Sequence, residues 1–311
     1  MPIYQLGKSI QCEIPIPVTR FIASVEEYVS HLVDLTSHDI TVSFLYMKSL
    51  ETVKMSTPQS ASSPTIISLA SQISHLSSQI TTYLESHSYA EPSLSATLPS
   101  SIPETDEYDA FRAPLNDAAH ELLRLINGPK ITLRTLVFSH YDLAALQLAL
   151  DRKFFYHVPL PDVDEGRTDS PLKDTESTKH TATAAEIAEK AGMDEDRTKR
   201  ALRLLATHGI FEEVASDSES TIWKHTANSA LFARDEDFYA AADMQMDDLF
   251  KAASETSTTI INSPYISNPV NSPFHTRFGI PMYQYYEENP KKGARFAQAM
   301  DSWSQGKPPS H

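Results

Sequence analysis

Thr183-Ala184-Ala185-Glu186-Ile187-Ala188, followed by Ala191-Gly192, Met193-Asp194-Glu195-Asp196, His208-Gly209 and Ile210-Phe211-Glu212-Glu213-Val214, is the stretch that decides the fold. Thr183 and Glu186 have the spacing of a capping box, a hydroxyl at the cap and a carboxylate three residues on. Ile187 and Ala188 open a short helix that Gly192 ends, and Asp194 is placed to cap a second one. That second helix carries Thr198, Ala201, Leu202 and Leu205 on one side and closes at His208-Gly209. Residues 210–214 then read as a strand and 216–220 as a polar tip. Thr221-Ile222-Trp223-Lys224-His225-Thr226 reads as the returning strand. Helix, turn, helix and a small two-stranded wing predict a winged-helix domain over residues 181–235.

Such units often bind DNA, and the second helix does carry Arg197, Lys199, Arg200 and Arg203. These are long cations beside Asp194, Glu195 and Asp196, whose charge repels phosphate. The whole chain, at net charge −15, is also unsuited to a phosphate backbone or an anionic membrane. The expectation is a structural winged helix with neither nucleic acid nor membrane as partner.

Upstream, the chain reads as helical. Ile66, Leu69, Ile73, Leu76, Ile80 and Tyr83 alternate in steps of three and four, which draws a narrow apolar seam along one helix. That seam packs either inside its own domain or against a second subunit, and the expectation of a dimer is built on the second. Residues 91–105, rich in Pro and Ser, predict a loop. A second helix follows through Tyr108, Phe111, Leu115, Ala119, Leu122 and Ile126, ended by Asn127-Gly128-Pro129. A third is predicted over about 132–152, stopped by Val158-Pro159-Leu160-Pro161. Residues 161–180 read as a charged surface insertion.

The chain thus divides into a poorly defined extension (1–60), a helical dimerisation region (61–180), the winged helix (181–235) and a helical tail (236–311). The class is mainly α, with no Rossmann-like domain. Only 8 glycines and no G-x-G-x-x-G run occur, so nothing offers the close backbone approach that a nucleotide-like cofactor needs. The 12 histidines are scattered without metal-ligand spacing, so no metal site is expected. Cys12 is the sole cysteine and reads as a free thiol. No apolar run is long enough to span a bilayer and no signal peptide is legible, which predicts a cytoplasmic protein.

The elements come in a telling order. After the seam and the winged helix come Trp223-Lys224-His225-Thr226-Ala227-Asn228-Ser229 and Phe274-His275-Thr276-Arg277-Phe278-Gly279-Ile280-Pro281-Met282-Tyr283-Gln284-Tyr285-Tyr286-Glu287-Glu288-Asn289-Pro290. Arg295-Phe296-Ala297-Gln298-Ala299-Met300 closes the series. Over roughly 65–305 this resembles the plant- and fungal-type small-molecule O-methyltransferases, especially fungal ones acting on secondary metabolites. The resemblance implies an intertwined dimer, a lid over an aromatic or polyketide-like substrate, and S-adenosylmethionine held by a C-terminal Rossmann-like half with a His as general base. The sequence ends at His311 without such a half, so the expectation is a chain that has no cofactor-binding or catalytic residue of its own and is inactive as a methyltransferase alone.

By the same resemblance Phe296 and Met300 line the substrate pocket, and Met246 is matched less directly. Trp303 falls where plant members often have a His. Met and aromatic side chains suit a flat apolar cavity. A Phe and a Met at i, i+4 are also ordinary helix packing, which is the favoured reading where half the pocket wall is missing. Besides a homodimer or a heterodimer with a related methyltransferase, three roles stay open: a non-catalytic dimer partner, a cofactor-free helper that shapes a reactive substrate for cyclisation, and a DNA-binding regulator.

Overall fold

The computed structural model describes residues 63–97, 102–162, 180–214 and 221–304. The extension 1–60 with Cys12, most of the charged insertion and the wing tip lie outside these residues.

Helix α1, Ile66–Ser86, starts where the Thr65 hydroxyl accepts from the Ser68 amide at 3.1 Å and the Ser68 hydroxyl accepts from the Thr65 amide at 2.8 Å. Serine thus does the reciprocal work that Glu or Gln does in the usual capping box. Leu69, Leu76 and Tyr83 of the seam are buried and Ile73 and Ile80 half-buried. Their cover is the next helix of the same chain, α2, Asp106–Asp151, where Tyr108 and Phe111 pack on Tyr83 and Ile80. This corrects the reading of the seam as a subunit interface: α2 supplies the partner that the sequence left unassigned.

The second and third helices of the sequence reading are the two limbs of α2. Gly128 alone leaves helical geometry, at φ 65° and ψ 173°. The stop is a swivel, not a loop. Pro129 needs no amide partner in the first turn of the new limb, and the Thr132 hydroxyl donates back to the Gly128 carbonyl at 2.9 Å.

Around the swivel α2 stands away from the other described residues. Leu123, Ile126, Ile131, Leu136, Val137 and Phe138 are exposed, Leu136 at 68%. A helix with large apolar side chains on several faces is ordinarily covered.

The last turns of α2 re-enter a core with α3, Phe154–His157. Strand β1, Thr181–Thr183, leads into α4, Ala184–Ala191, and then α5, Glu195–Ala206. Strands β2, Glu212–Val214, and β3, Ile222–Lys224, complete an antiparallel sheet of order β1-β3-β2. The caps are those expected: the Glu186 amide donates to Thr183 Oγ1 at 3.2 Å, the Thr183 amide to Glu186 Oε2 at 2.7 Å, and the Arg197 amide to Asp194 Oδ1 at 3.0 Å. Trp223, opposite Ala182 on one side and Glu213 on the other, sinks into a core with Phe154, Phe155, Ile187, Leu202 and Phe211. The third strand, β1, was not expected. Its three residues show no alternation long enough to read, and β3 supplies its pairing.

The tail runs through α6, Ala227–Arg234, and α7, Glu236–Met244, into a π turn, Gln245–Leu249, and α8, Phe250–Ala253. Then come α9, Thr256–Asn262, α10, Pro273–Phe278, α11, Met282–Glu288, and α12, Pro290–Ser304. Helix α12 folds back along α7. No helix among the described residues is long and apolar enough to cross a membrane.

Candidate functional site

The tail brings two of the sequence-predicted residues together. Phe296 and Met300, one turn apart on α12, pack with Ala241, Met244, Leu249 and Ala299. The Phe296 ring stacks on Tyr286 of α11, centroids 4.8 Å apart and planes 26° apart, and meets Tyr283 edge-on at 6.2 Å. Phe274, Phe278 and Tyr285 extend the aromatic surface behind Tyr286. Helices α11 and α12 come this close because of Gly293: a Cβ there would lie 2.7 Å from the Tyr286 carbonyl oxygen. Phe296 and Met300 are half-buried, so each keeps part of its surface open. Met246 is not with them. It sits in the π turn and packs on the core around Trp223. The side chain of Trp303, in the last turn of α12, lies outside the described residues. Two shallow hollows run along α1, beside Ser74, His75 and Ser78, away from this aromatic surface.

Beneath the aromatic surface lies an ionic network that the sequence reading missed. Arg295, the residue before Phe296, donates from Nη1 to Asp243 at 2.6 Å and from Nη2 to Asp247 at 3.0 Å and Asp248 at 2.6 Å. Lys292, one turn earlier, pairs with Asp247 at 2.8 Å and with Asp248, and Lys251 pairs with Asp247. The Tyr285 hydroxyl reaches Asp248 at 3.5 Å. Asp248 is fully buried. Burial pushes the Asp247 carboxyl up, but hydrogen bonds from Lys251, Lys292 and Arg295 outweigh it and hold the group well below the usual carboxylate range. Burial alone would lower Lys292 and Arg295, yet their carboxylate partners raise both.

The π turn is what lets one helix offer three carboxylates to one guanidinium. At 100° per residue a position five places on is rotated about 140° away, so a regular helix would turn Asp248 from the side of Asp243. The wider i→i+5 turn brings it back. The spacing Asp243–Asp247–Lys251 was readable as helical pairing. The link to Lys292 and Arg295, more than forty positions on, was not.

The other buried polar group of note is His225. Nδ1 lies 3.0 Å from the Ser229 hydroxyl and Nε2 3.2 Å from the Val158 carbonyl oxygen. Burial lowers its pKa to about 4 against the pull of these bonds. Both ring nitrogens are spoken for, so it has none free for a substrate. Among the described residues no three His, Cys, Asp or Glu side chains converge on a metal position. The strands present form a three-stranded antiparallel sheet.

Phe296, Tyr286 and Tyr283 thus form an apolar, aromatic surface on α11 and α12. Comparison with known proteins gives it a context. Residues 172–235 match the O-methyltransferase dimerisation domain. That segment runs from before β1 to the end of α6. Over 242 residues the chain is 41% identical to the O-methyltransferase sol2 of Alternaria solani, covering 77% of this chain and 51% of that protein. It is 29% identical to the chlorophenol O-methyltransferase of Trichoderma longibrachiatum, covering 76% of this chain and 47% of the relative. The crystal structure of OxaC superposes with a TM-score of 0.56 at 15% identity, over 76% of this chain and 50% of that one, a likeness of fold. The chain spans about half the length of the curated relatives it matches.

Proposed function

We propose that these 311 residues supply the association and substrate-lid functions of an S-adenosylmethionine-dependent O-methyltransferase of fungal secondary metabolism. The observation that carries this reading is the 41% identity to an O-methyltransferase across three-quarters of the chain. It extends well beyond the segment that matches the dimerisation domain. In this reading the helix–turn–helix with its sheet is a winged-helix unit in a structural role. Its second helix supports that role: Arg200 pairs with Asp196 at 2.8 Å and Arg203 with Glu213 at 2.7 Å, so two of its cations are already occupied.

Two surfaces do the work. The exposed apolar limbs of α2 around Gly128 take a second copy, or a related methyltransferase, as their cover. Phe296 and Met300, with Tyr286 and Tyr283 beside them, form one wall of a pocket for an aromatic or polyketide-like hydroxyl compound. An aromatic wall binds flat rings through stacking and excludes water from the reacting oxygen. The methyl group itself comes from the sulfonium of S-adenosylmethionine, held by residues other than these. The three-stranded antiparallel sheet supports that division of labour.

The test supplies cofactor binding in trans. This chain is co-purified with the cofactor-binding half of a similar O-methyltransferase, and methyl transfer to a phenolic acceptor is measured against that half alone. Stimulation by this chain, lost on replacing Phe296 with Ala, is the expected result. Association without any effect on transfer would contradict the lid role.

A further inference from the structure

We propose that Arg295 is a positioning residue: through Asp243, Asp247 and Asp248 it fixes the rotation and register of α12 on α7, and so fixes where Phe296 and Met300 stand. The pocket part of this inference rests on the reading of Phe296 and Met300 as a substrate wall.

The apolar contact between α7 and α12 sets their register only loosely. Its buried members, Ala241, Met244 and Ala299, are small or adaptable, and apolar burial has no direction. A slide of α12 by one turn would move Phe296 about 5.4 Å along the axis. The guanidinium forbids that slide. It is planar, with donors in a rigid fork, and it meets three carboxylates at 2.6, 3.0 and 2.6 Å. All three come from one helix and its π turn, so a shift along α7 or a rotation of α12 breaks several bonds at once. Lys292, three residues earlier, repeats the grip on Asp247 and Asp248. Phe296 is the next residue on the same helix, so the backbone that these ion pairs hold in place is the one from which its ring projects. The Tyr286 ring then receives it at 4.8 Å.

A fluorine label at Phe296 separates positioning from simple stability. In the full chain, para-fluorophenylalanine at 296 alone is expected to give one fluorine NMR line, displaced upfield by the Tyr286 ring. In Arg295→Met, with far-UV helicity retained, the line should move towards the position of the free amino acid and broaden or divide. Arg295→Lys keeps the charge but not the fork, and should give a smaller movement in the same direction. If Arg295→Met does not fold, Arg295→Lys decides. A variant that folds and keeps the wild-type line overturns the proposal. Naphthol is then titrated as the aromatic probe. Saturable movement of the wild-type line, weakened about ten-fold or more in the Arg295 variant, supports a positioned pocket wall. A wild-type line that ignores naphthol while the Arg295 variants still displace it overturns the pocket reading and leaves Arg295 setting the register of the helix.

Discussion

Arg295 donates to Asp248 at 2.6 Å across 47 positions of sequence, and Asp248 has no exposed surface. This pair joins the helix carrying Phe296 to the π turn that ends α7. A charge so deeply placed is stable only while its partners hold it.

Replacing Asp248 with Ala leaves Lys292 and Arg295 short of one carboxylate in a partly buried site. Breaking a buried pair ordinarily costs about 3–5 kcal/mol, and the lower end applies because Lys292 keeps 31% of its side chain exposed. Urea denaturation should therefore show a loss of about 3 kcal/mol. A loss under 1 kcal/mol would mean that Asp247 and Asp243 carry the network without it.

Gly293→Ala should destabilise, against the usual sign. In a helix interior this change ordinarily gains about 1 kcal/mol. Here the new Cβ meets the Tyr286 carbonyl oxygen at 2.7 Å, and backbone cannot move aside as a side chain can. An overpacking cost of about 1–3 kcal/mol is expected, read as a lowered thermal midpoint. A raised midpoint would show that α11 and α12 can separate freely.

His225 makes stability depend on pH. Burial holds its folded pKa at about 4, below the ordinary 6.5, so the unfolded chain takes up this proton first. The sign follows: the contribution is full above pH 6.5, falls through the interval down to about 4, and is gone below it. The span corresponds to about 3 kcal/mol. Urea midpoints for the wild type and His225→Asn, compared from pH 7 to 4.5, should converge as pH falls. Parallel curves would place the histidine in contact with water.

S-adenosylmethionine should give no saturable heat with these 311 residues in calorimetry. The basis is the lack of a Gly-rich turn in the sequence and the antiparallel sheet of the fold. A site of micromolar affinity would overturn the proposed division of labour.

Local chemistry was legible in the sequence and tertiary partnership was not. Thr183 with Glu186, Asp194, Gly192 and Gly209 act within a few residues of themselves, and each stands in the structure as read. Gly128 was read as an ending because Asn-Gly-Pro stops a helix, yet a single left-handed residue followed by Pro can also begin the next limb at once. The seam Leu69, Leu76, Tyr83 was visible as apolar, but apolarity does not name its partner, and α2 of the same chain took it. Phe296 and Met300 were found through resemblance and do lie together. Met246 was separated from them by the π turn, whose i→i+5 bonding has no readable sequence signal. The network of Arg295 with three aspartates joins segments more than forty residues apart, beyond any periodicity.

The most direct measurement is sedimentation equilibrium of the full chain at concentrations on the order of tens of micromolar, where a micromolar dimer is largely formed. The expected mass is twice the 34.7 kDa of one chain. Leu136→Asp with Phe138→Asp, on the exposed limb of α2, should return it to one chain mass with helicity kept. Ile73→Asp, on the internal seam, should cost helicity instead. A wild-type chain that sediments as a monomer throughout, or a Leu136/Phe138 double variant that keeps the doubled mass, would contradict the assignment of α2 as the association surface of a methyltransferase.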